Sequence, residues 1–430
     1  MSRYKAHPEY KDSGVEWLGE IPTRWKLIRL KFMARIKNGQ DYKNIEADEG
    51  YPVIGSGGQF TYASCFAYQN PSVLLGRKGT VDKPLYIDQP FWTVDTMYYT
   101  EIHDNIFPKY LYYLATTIQF DKYSTNTALP SMTQENLGNY TFSIPESDLE
   151  RKSIAIFLDY ENAKIDALIE KQQALIALLK EKRQAVISHA VTKGLNPDTP
   201  MKNSGVEWLG VVPESWSVLQ IRHVLLNLEQ GKSPECENRP ANQDEWGVLK
   251  TGCVNYSRFN EDENKCLPDN LKPCPQFEVK AGDVLMSRAS GSIELIGSVA
   301  YVFQTRSKLL LSDKIFRLQF NSCINKLFFA FLMQSTYMRT NVKNAISGAE
   351  GMANNIAKSS ILSFRFALPS LEEQNKIVNY VSRELLTFNK LIQDAVKAVE
   401  LLKERRTALI SAAVTGKIDV RDWQPPEAAA

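Results

Sequence analysis

The chain has 430 residues, and its 51 lysines and arginines nearly balance its 49 aspartates and glutamates. This length exceeds what one hydrophobic core usually supports, so we expect two or more domains. The charge balance excludes a protein that holds nucleic acid by a large excess of its own positive charge. Because no apolar run approaches the length of a membrane helix, we expect a soluble, cytoplasmic protein.

A short signature opens each half of the chain. The sequence SGVEWLGEIPTRW at residues 13–25 recurs as SGVEWLGVVPESW at residues 204–216, with nine of thirteen positions identical. The offset between the copies is 191 residues. The chain therefore contains an internal repeat, and we expect two similarly built halves.

The stretch that follows the first signature is basic. Residues 21–40 hold six lysines and arginines and no acidic residue. Within it, LIRLKF at residues 27–32 alternates apolar and basic residues, which predicts one strand with a buried face and a cationic face. A cationic face can contact phosphates, but a merely solvated face is equally compatible with this pattern.

Two glycine-rich hairpins occupy matching places in the two halves. SVLLGRKG carries Arg77 and Lys78, and DVLMSRASG carries Arg288 and Ser290. Glycines let backbone approach a ligand closely, and the forked guanidinium suits phosphate or a guanine edge. An ordinary hairpin tip is the alternative interpretation.

Small and amide residues precede the last predicted strand of each half. They include Gln134 in TNTALPSMTQENL, and Gly348, Asn354 and Asn355 in SGAEGMANNI and its surroundings. Amide side chains can read adenine. They are also common in turns, so this pattern alone leaves both interpretations open.

Two long helices are predicted at residues 149–194 and 371–416. Residues 178–192 and 401–415 share eleven of fifteen positions at an offset of 223, and each copy follows a proline (Pro145, Pro369) and stops at a glycine (Gly194, or Gly416). Steps of three and four residues predict that the two helices pair with each other. The apolar interface residues of this pair are predicted to be Ile165, Leu168, Leu175, Leu179, Val186, Phe388, Leu391, Leu402 and Leu409.

The two offsets define the domain organisation. We predict globular domains at 1–148 and 195–370, helices at 149–194 and 371–416, and a tail at 417–430. The second globular region is longer by 32 residues, the difference between the repeat offsets. The repeat therefore predicts two globular domains on a pseudo-twofold frame of two long helices.

This arrangement resembles the specificity subunit of type I restriction–modification systems. The resemblance covers almost the whole chain and lies in the paired EWLG openings, the phrases IPESDLERKSI and LPSLEEQNKI, and the helix ends AVISHAVTKG and ALISAAVTGK. It implies an α/β (α+β) fold class, with two target recognition domains that each read one half of a bipartite DNA site. It also implies that the two long helices pack as an antiparallel coiled coil. It also implies that the helix pair sets the spacer and contributes to the contact with methyltransferase subunits.

The resemblance also implies partners and DNA-binding positions. The partners would be double-stranded DNA, two adenine-N6 methyltransferase subunits and ATP-dependent restriction subunits, with no catalytic residue, metal or cofactor in this chain. The DNA-binding positions carried over from the family layout are Arg77, Lys78, Gln134, Arg288, Ser290, Gly348, Asn354 and Asn355.

Two other classes of function are compatible with parts of the sequence. Pro268-Asp269 followed by Glu278-Val279-Lys280 has the residue types with which a metal-dependent nuclease holds Mg²⁺ and activates water, although the matching hairpin of the first half lacks them. A coiled-coil interaction scaffold would explain the helices without any binding site.

Overall fold

The computed structural model describes residues 4–123, 130–347 and 354–425. Its internal contacts divide the chain into two compact units. Unit 1 contains Met1–Gln173 and Lys397–Ala430, and unit 2 contains Ala174–Val396. Each unit therefore includes one half of each long helix.

Unit 1 is built from small sheets around a helical layer. Its elements are β1 (Tyr10–Asp12), β2 (Glu20–Pro22), β3 (Trp25–Arg29), β4 (Ala34–Asn38), β5 (Glu46–Ala47), β6 (Tyr51–Gly55), β7 (Gly58–Ala63), β8 (Ser72–Gly76), β9 (Leu85–Ile87), β10 (Trp92–Thr93), β11 (Met97–Ile102), α1 (Pro108–Ala115), α2 (Gln134–Asn139), β12 (Thr141–Pro145) and the start of α3 (Asp148–Lys193). The sheet orders are β4-β11-β8-β9 and β10-β6-β7-β5, and β12 pairs with β3.

Unit 2 repeats much of this topology. Its elements are β13 (Met201–Asn203), β14 (Val211–Pro213), β15 (Ser217–Gln220), β16 (Leu225–Gln230), β17 (Gly247–Leu249), β18 (Asn264–Cys266), β19 (Val284–Ser287), β20 (Ala289–Ser290), β21 (Val299–Tyr301), β22 (Leu309–Leu310), β23 (Ile315–Phe320), α4 (Lys326–Gln334), α5 (Thr336–Asn344), β24 (Ile346–Ser347), β25 (Asn354–Ile356), α6 (Lys358–Ser363), β26 (Arg365–Leu368) and α7 (Leu371–Val414). The sheet β16-β23-β19-β21 matches β4-β11-β8-β9, and the pair β15-β26 matches β12-β3.

The repeated signature packs against the start of a long helix in each unit. The indole nitrogen of Trp25 donates to the Glu150 carboxylate over 3.0 Å. In unit 2 the Trp216 indole donates to the Glu373 carboxylate over the same distance. Both indoles are almost completely buried, so each needs this polar partner. The contact explains why the signature and the helix starts recur together.

The glycine after α7 is required by a close approach in unit 1. Gly416 has a φ of +75°, and a Cβ added there would lie 2.5 Å from Pro22 side-chain atoms. Gly14 has a similar φ of +67°, but nothing lies within 4 Å of its added Cβ. The two glycines thus share a backbone conformation and differ in the space around them.

We predict that Gly416→Ala destabilises the protein more than Gly14→Ala does. The left-handed backbone alone costs an alanine about 1–2 kcal/mol. At Gly416 overpacking adds about 1–3 kcal/mol, because buried ring atoms must shift. Urea unfolding followed by circular dichroism would measure both variants. Equal losses of stability would contradict the close approach at Gly416.

The long helices pack together in antiparallel orientation. In unit 1 the first half of α3 shares a hydrophobic core with the last turns of α7, where the Arg406 guanidinium bonds the Asp166 carboxylate. In unit 2 the end of α3 shares a core with the start of α7. The two helices run in opposite directions because, within each unit, the beginning of one helix packs with the end of the other.

The buried stripe of the pair differs from the predicted one at three positions. Of the nine predicted interface residues, three are buried (Ile165, Phe388, Leu409), three are half-buried (Leu179, Val186, Leu402) and three are exposed (Leu168, Leu175, Leu391). The exposed leucines are 43–46 % accessible, and in each case the isoleucine that follows is the less exposed residue. The spacing between successive positions of the buried stripe is therefore four and then three residues, rather than the predicted three and then four.

The prediction of one strand over LIRLKF was wrong. Strand β3 ends at Arg29, and Leu30–Phe32 form a 3₁₀ turn in which Phe32 is 59 % exposed. The turn forms because the amide of Leu30 donates to the carbonyl of Tyr140 over 3.0 Å, just beyond the β12-β3 pairing. The basic residues of this region therefore lie on two strands and a turn rather than on one flat face.

Candidate nucleic-acid interface

In unit 1, Arg77 lies directly after β8 and is anchored through its backbone. Its amide donates to the carbonyl of Thr96 over 2.9 Å, and its own carbonyl accepts from the Met132 amide over 3.0 Å. The guanidinium lies 5.9 Å from the ring centre of Tyr98 and donates to the Asp95 carbonyl over 3.2 Å. The side chain is thus held at the turn and remains partly accessible.

Lys78 and Gln134 lie beside this turn. Lys78 is exposed and forms an isolated β-bridge with Ser131. Gln134 begins α2, and its amide nitrogen donates to the Ile36 carbonyl over 2.6 Å. This bond orients the Gln134 amide and occupies one of its two donor hydrogens. The structure therefore brings the three residues predicted in this half onto neighbouring segments.

A shallow pocket of unit 1 collects further cationic side chains. Its lining includes Lys31, Arg35, His103 and Gln134. The ammonium of Lys31 donates to the side-chain oxygen of Asn139 over 2.9 Å. Part of the basic stretch identified in the sequence thus lies next to Gln134, despite the break in the predicted strand.

In unit 2, three predicted residues lie on a small sheet of order β20-β25-β24. Ser290 is paired with Asn354, and Ala289 with Asn355. The carbonyl of Arg288 accepts from the Ile356 amide over 3.0 Å, which joins the arginine to the same sheet. Gly348 lies outside the described residues.

The Arg288 turn repeats the two backbone bonds that Arg77 makes. The amide of Arg288 donates to the Lys314 carbonyl over 2.8 Å, as Arg77 does to Thr96. Within residues 4–123, 130–347 and 354–425, the Arg288 guanidinium has no hydrogen-bond or ion-pair partner. The Arg288 side chain is half-buried.

The matching bonds also identify a residue that the sequence comparison missed. Met132 and Ile356 each donate to the arginine carbonyl, and a short helix begins two residues after each of them. The unit 2 counterpart of Gln134 is therefore Lys358. Its ammonium lies 5.7 Å from the ring centre of Phe316, and the side chain is exposed. The sequence does contain a signal for this match. Both segments have an apolar residue, Met132 or Ile356, two positions before the start of a short helix.

Glu278, one of the two acidic residues that suggested a nuclease, is engaged in structural bonds. A Glu278 carboxylate oxygen accepts from the Lys308 amide over 2.7 Å, and the Glu278 carbonyl accepts from Arg317 over 2.7 Å. Across the described ranges, no group of three or more His, Cys, Asp or Glu side chains could hold a metal ion.

The described part of the chain contains seven α-helices. None of its helices combines the length and the apolar character needed to cross a bilayer.

A family model covers most of the chain. The model described as the type I restriction modification DNA specificity domain matches residues 22–178 and 213–400. The two matched ranges correspond to the two halves of the internal repeat, and together they exceed half of the chain. The model thus recognises the same duplication that the sequence shows.

Two named relatives are specificity subunits of type I restriction enzymes. The EcoEI subunit of Escherichia coli is 33% identical over 196 residues, which are 45% of this chain and 31% of that relative. The MjaVIII subunit of Methanocaldococcus jannaschii is 24% identical over 360 residues, 81% of this chain and 77% of the relative. The chain therefore matches under a third of the length of the bacterial relative.

Two solved structures share the fold. A chain from a structure concerned with assembly and conformational transition of the type I R-M system has a TM-score of 0.70 at 14% identity, covering 93% of this chain and 99% of that one. The HsdS subunit from Thermoanaerobacter tengcongensis has a TM-score of 0.50 at 13% identity, covering 93% and 98%. From the duplicated fold and the family match, we conclude that this chain belongs to the type I restriction–modification DNA specificity family.

Proposed function

We propose that this chain is the non-catalytic DNA-specificity subunit of a type I restriction–modification complex, and that each unit reads one half of a bipartite site. The observation that carries the proposal is the repeated turn, in which Arg77 and Arg288 have the same backbone bonds while their neighbours differ. Lys78 and Gln134 surround the first arginine. Ser290, Asn354 and Asn355 surround the second. One frame thus presents two different sets of hydrogen-bonding groups.

The side chains at both turns suit direct reading of base edges. Arginine can bond the O6 and N7 atoms of guanine with both arms, and asparagine or glutamine can bond N6 and N7 of adenine. Lysines such as Lys78 and Lys358 suit phosphates, which position a protein without reading sequence. Gly348 belongs to the proposed set by its position in the sequence.

The long helices are proposed to set the spacer between the half-sites and to dock two adenine-N6 methyltransferase subunits. Restriction subunits would join this assembly, and the chain itself needs no cofactor. Helix α3 has 46 residues, which at about 1.5 Å per residue gives a rigid element on the order of 70 Å long. Partner subunits that enclose the DNA would supply positive charge that this nearly neutral chain lacks.

Reconstitution with methyltransferase subunits tests this function. The complex should methylate adenine at one bipartite motif, and sequencing the methylated sites would identify it. The chain alone, given Mg²⁺ and plasmid, should leave the DNA intact. Cleavage by the chain alone, or methylation without sequence preference, would contradict the proposal.

Arg288→Ala should relax the preference at one base pair of one half-site. If Arg288 bonds a base, the loss should be about 1–3 kcal/mol for the cognate site and much smaller for a site changed at that position. Binding measured over a series of salt concentrations separates this from a phosphate contact, which would weaken all sequences alike and reduce the salt slope by about one.

Arg383→Ala is the matched control, because Arg383 lies on α7 with a largely exposed side chain and away from the turn. Its affinity for DNA should not change. Unchanged affinity of Arg288→Ala at every salt concentration would remove Arg288 from the interface.

A further inference from the structure

Unit 2 carries a loop that has no counterpart in unit 1. Strands β6 and β17 correspond, since each pairs antiparallel with the next strand and parallel with a later one. In unit 1 a tight turn joins β6 to β7, with Gly55 opposite Gly58. In unit 2 residues 250–263 connect β17 to β18. Part of the extra length of unit 2 is therefore inserted at this one hairpin.

The tip of the loop presents an aromatic side chain on an unfavourable backbone. Tyr256 has φ 55° and ψ 26°, and Ser257 follows with φ 58°. Bulky residues rarely adopt this left-handed conformation. The Tyr256 side chain is 82 % exposed, so packing within the chain does not compensate for the strain. Such a combination points to a role outside the fold itself.

The base of the loop is fixed, so the tip is held in place. The amide of Asn260 donates to the Cys253 carbonyl over 2.8 Å, and the Lys250 ammonium pairs with the Glu263 carboxylate over 3.0 Å. Cys253 and Val254 are buried in a core of their own with residues that follow β22. These bonds and buried side chains therefore anchor the loop at its base.

The loop and the Arg288 turn are linked through residues 311–315, which follow β22. The buried residues of the loop pack with Leu311 and Ile315, and between these lies Lys314, whose carbonyl accepts from the Arg288 amide. In unit 1 the corresponding residue is Thr96. It binds Arg77 through its carbonyl and the Ser56 amide of the tight turn through its hydroxyl, over 3.3 Å.

We propose that Tyr256 is a DNA contact of unit 2, whose ring stacks on a base at one step of the half-site next to the step read by Arg288. Arg258 is exposed two residues further on, where it can meet a phosphate, and Asn255 precedes the tyrosine. Aromatic side chains stack on any base, and a side chain inserted at a step unstacks it. The inference rests on the proposed function, because it adds a residue to the same DNA interface.

Three substitutions separate the ring from the strained backbone. Tyr256→Phe keeps the ring, and Tyr256→Ala removes it. Tyr256→Asn also removes the ring, but asparagine tolerates the left-handed conformation well, so this variant should fold at least as stably as the wild type. A loss shared by the alanine and asparagine variants is therefore not a folding defect.

The test uses the complex with methyltransferase subunits, bound to duplexes of its own methylated site with 2-aminopurine at successive positions. For wild type and Tyr256→Phe we expect enhanced fluorescence at one position, because stacking of bases quenches the probe. For Tyr256→Ala and Tyr256→Asn we expect that enhancement to vanish and affinity to fall roughly five- to thirtyfold.

Two results would overturn the inference. One is an unchanged fluorescence profile and affinity in the asparagine variant. The other is a reduced yield of assembled complex in that variant with normal DNA binding, which would make Tyr256 a contact to a partner subunit. Failure of the wild-type complex to methylate or bind any specific site would instead contradict the proposed function, so the two failures are distinguishable.

Discussion

Exchange of residues 217–368 for the matching region of another specificity subunit should change one half of the methylated motif and leave the other half unaltered. The segment begins and ends on one antiparallel pair, with Ser217 opposite Leu368. A graft at these points enters and leaves the frame at adjacent positions, so Trp216 and the helix starts are retained. Most of the buried core of unit 2 moves with the graft. We therefore expect a folded chimera with one new half-site.

The reciprocal exchange is the control. Residues 26–144 have equivalent ends, since Lys26 lies opposite Ile144 on the β12-β3 pair. Replacing them should change the other half of the motif. Sequencing of the methylated sites made by both chimeric complexes would show this directly. If either exchange altered both halves together, the two units would not read DNA independently.

The frame of the molecule could be predicted from the sequence because its signals are duplicated. Two segments recur in the same order in both halves: the signature, at residues 13–25 and 204–216, and the helix end, at residues 178–192 and 401–415. The order of the segments therefore supports the repeat as well as their sequence identity does. The long helices lie at Asp148–Lys193 and Leu371–Val414, within two residues of their predicted limits. Proline before and glycine after a helix are strong boundary signals.

The exact face of the helix pair could not be predicted, because the sequence offers two adjacent apolar stripes. Leu168-Ile169, Leu175-Ile176 and Leu391-Ile392 each place two apolar residues side by side. A spacing of three residues from the preceding interface residue places the leucine of each pair in the interface. A spacing of four residues places the isoleucine there instead. Which residue of each pair is buried depends on the position of the antiparallel partner helix. The periodicity of one helix alone does not give that position.

The three-and-four spacing also predicts one basic residue within each stripe, Lys182 in α3 and Arg405 in α7, and in the structure the next residue takes that place. Lys182 and Arg405 are exposed, while Arg183 and Arg406 are half-buried. Burial lowers the pKa of Arg183. The Arg406 guanidinium gains the Asp166 carboxylate, a partner 240 positions away that no local pattern reveals.

The sequence aligned one pair of segments of the proposed interface correctly and another pair wrongly. The two arginine turns were matched correctly in the sequence, since both follow a buried strand. Gln134 was compared with the asparagines of β25, whereas the backbone bonds place it opposite Lys358. Small residues and amides precede both helices and give little information on register. The Tyr256 loop has no counterpart in unit 1, so the repeat could not predict it.

Insertion of four residues into α3 should lengthen the spacer of the methylated motif while both half-sites keep their sequences. We would duplicate residues 174–177 at the point where α3 passes from unit 1 to unit 2. Four residues add about 6 Å to a helix, which is a little under two base pairs at about 3.4 Å each. We therefore expect a spacer longer by one or two base pairs.

Four residues exceed one helical turn, so the insertion also rotates the following segment by about 40°. Some packing with α7 should be lost, and methylation should be slower than in the wild type. Leu178→Ala is the matched control, because Leu178 lies on the same helix, is exposed, and leaves the helix length unchanged. Its complex should methylate the original motif. Sequencing of methylated sites decides between the outcomes: an active insertion variant with the wild-type spacer would show that the length of α3 does not set the distance between half-sites.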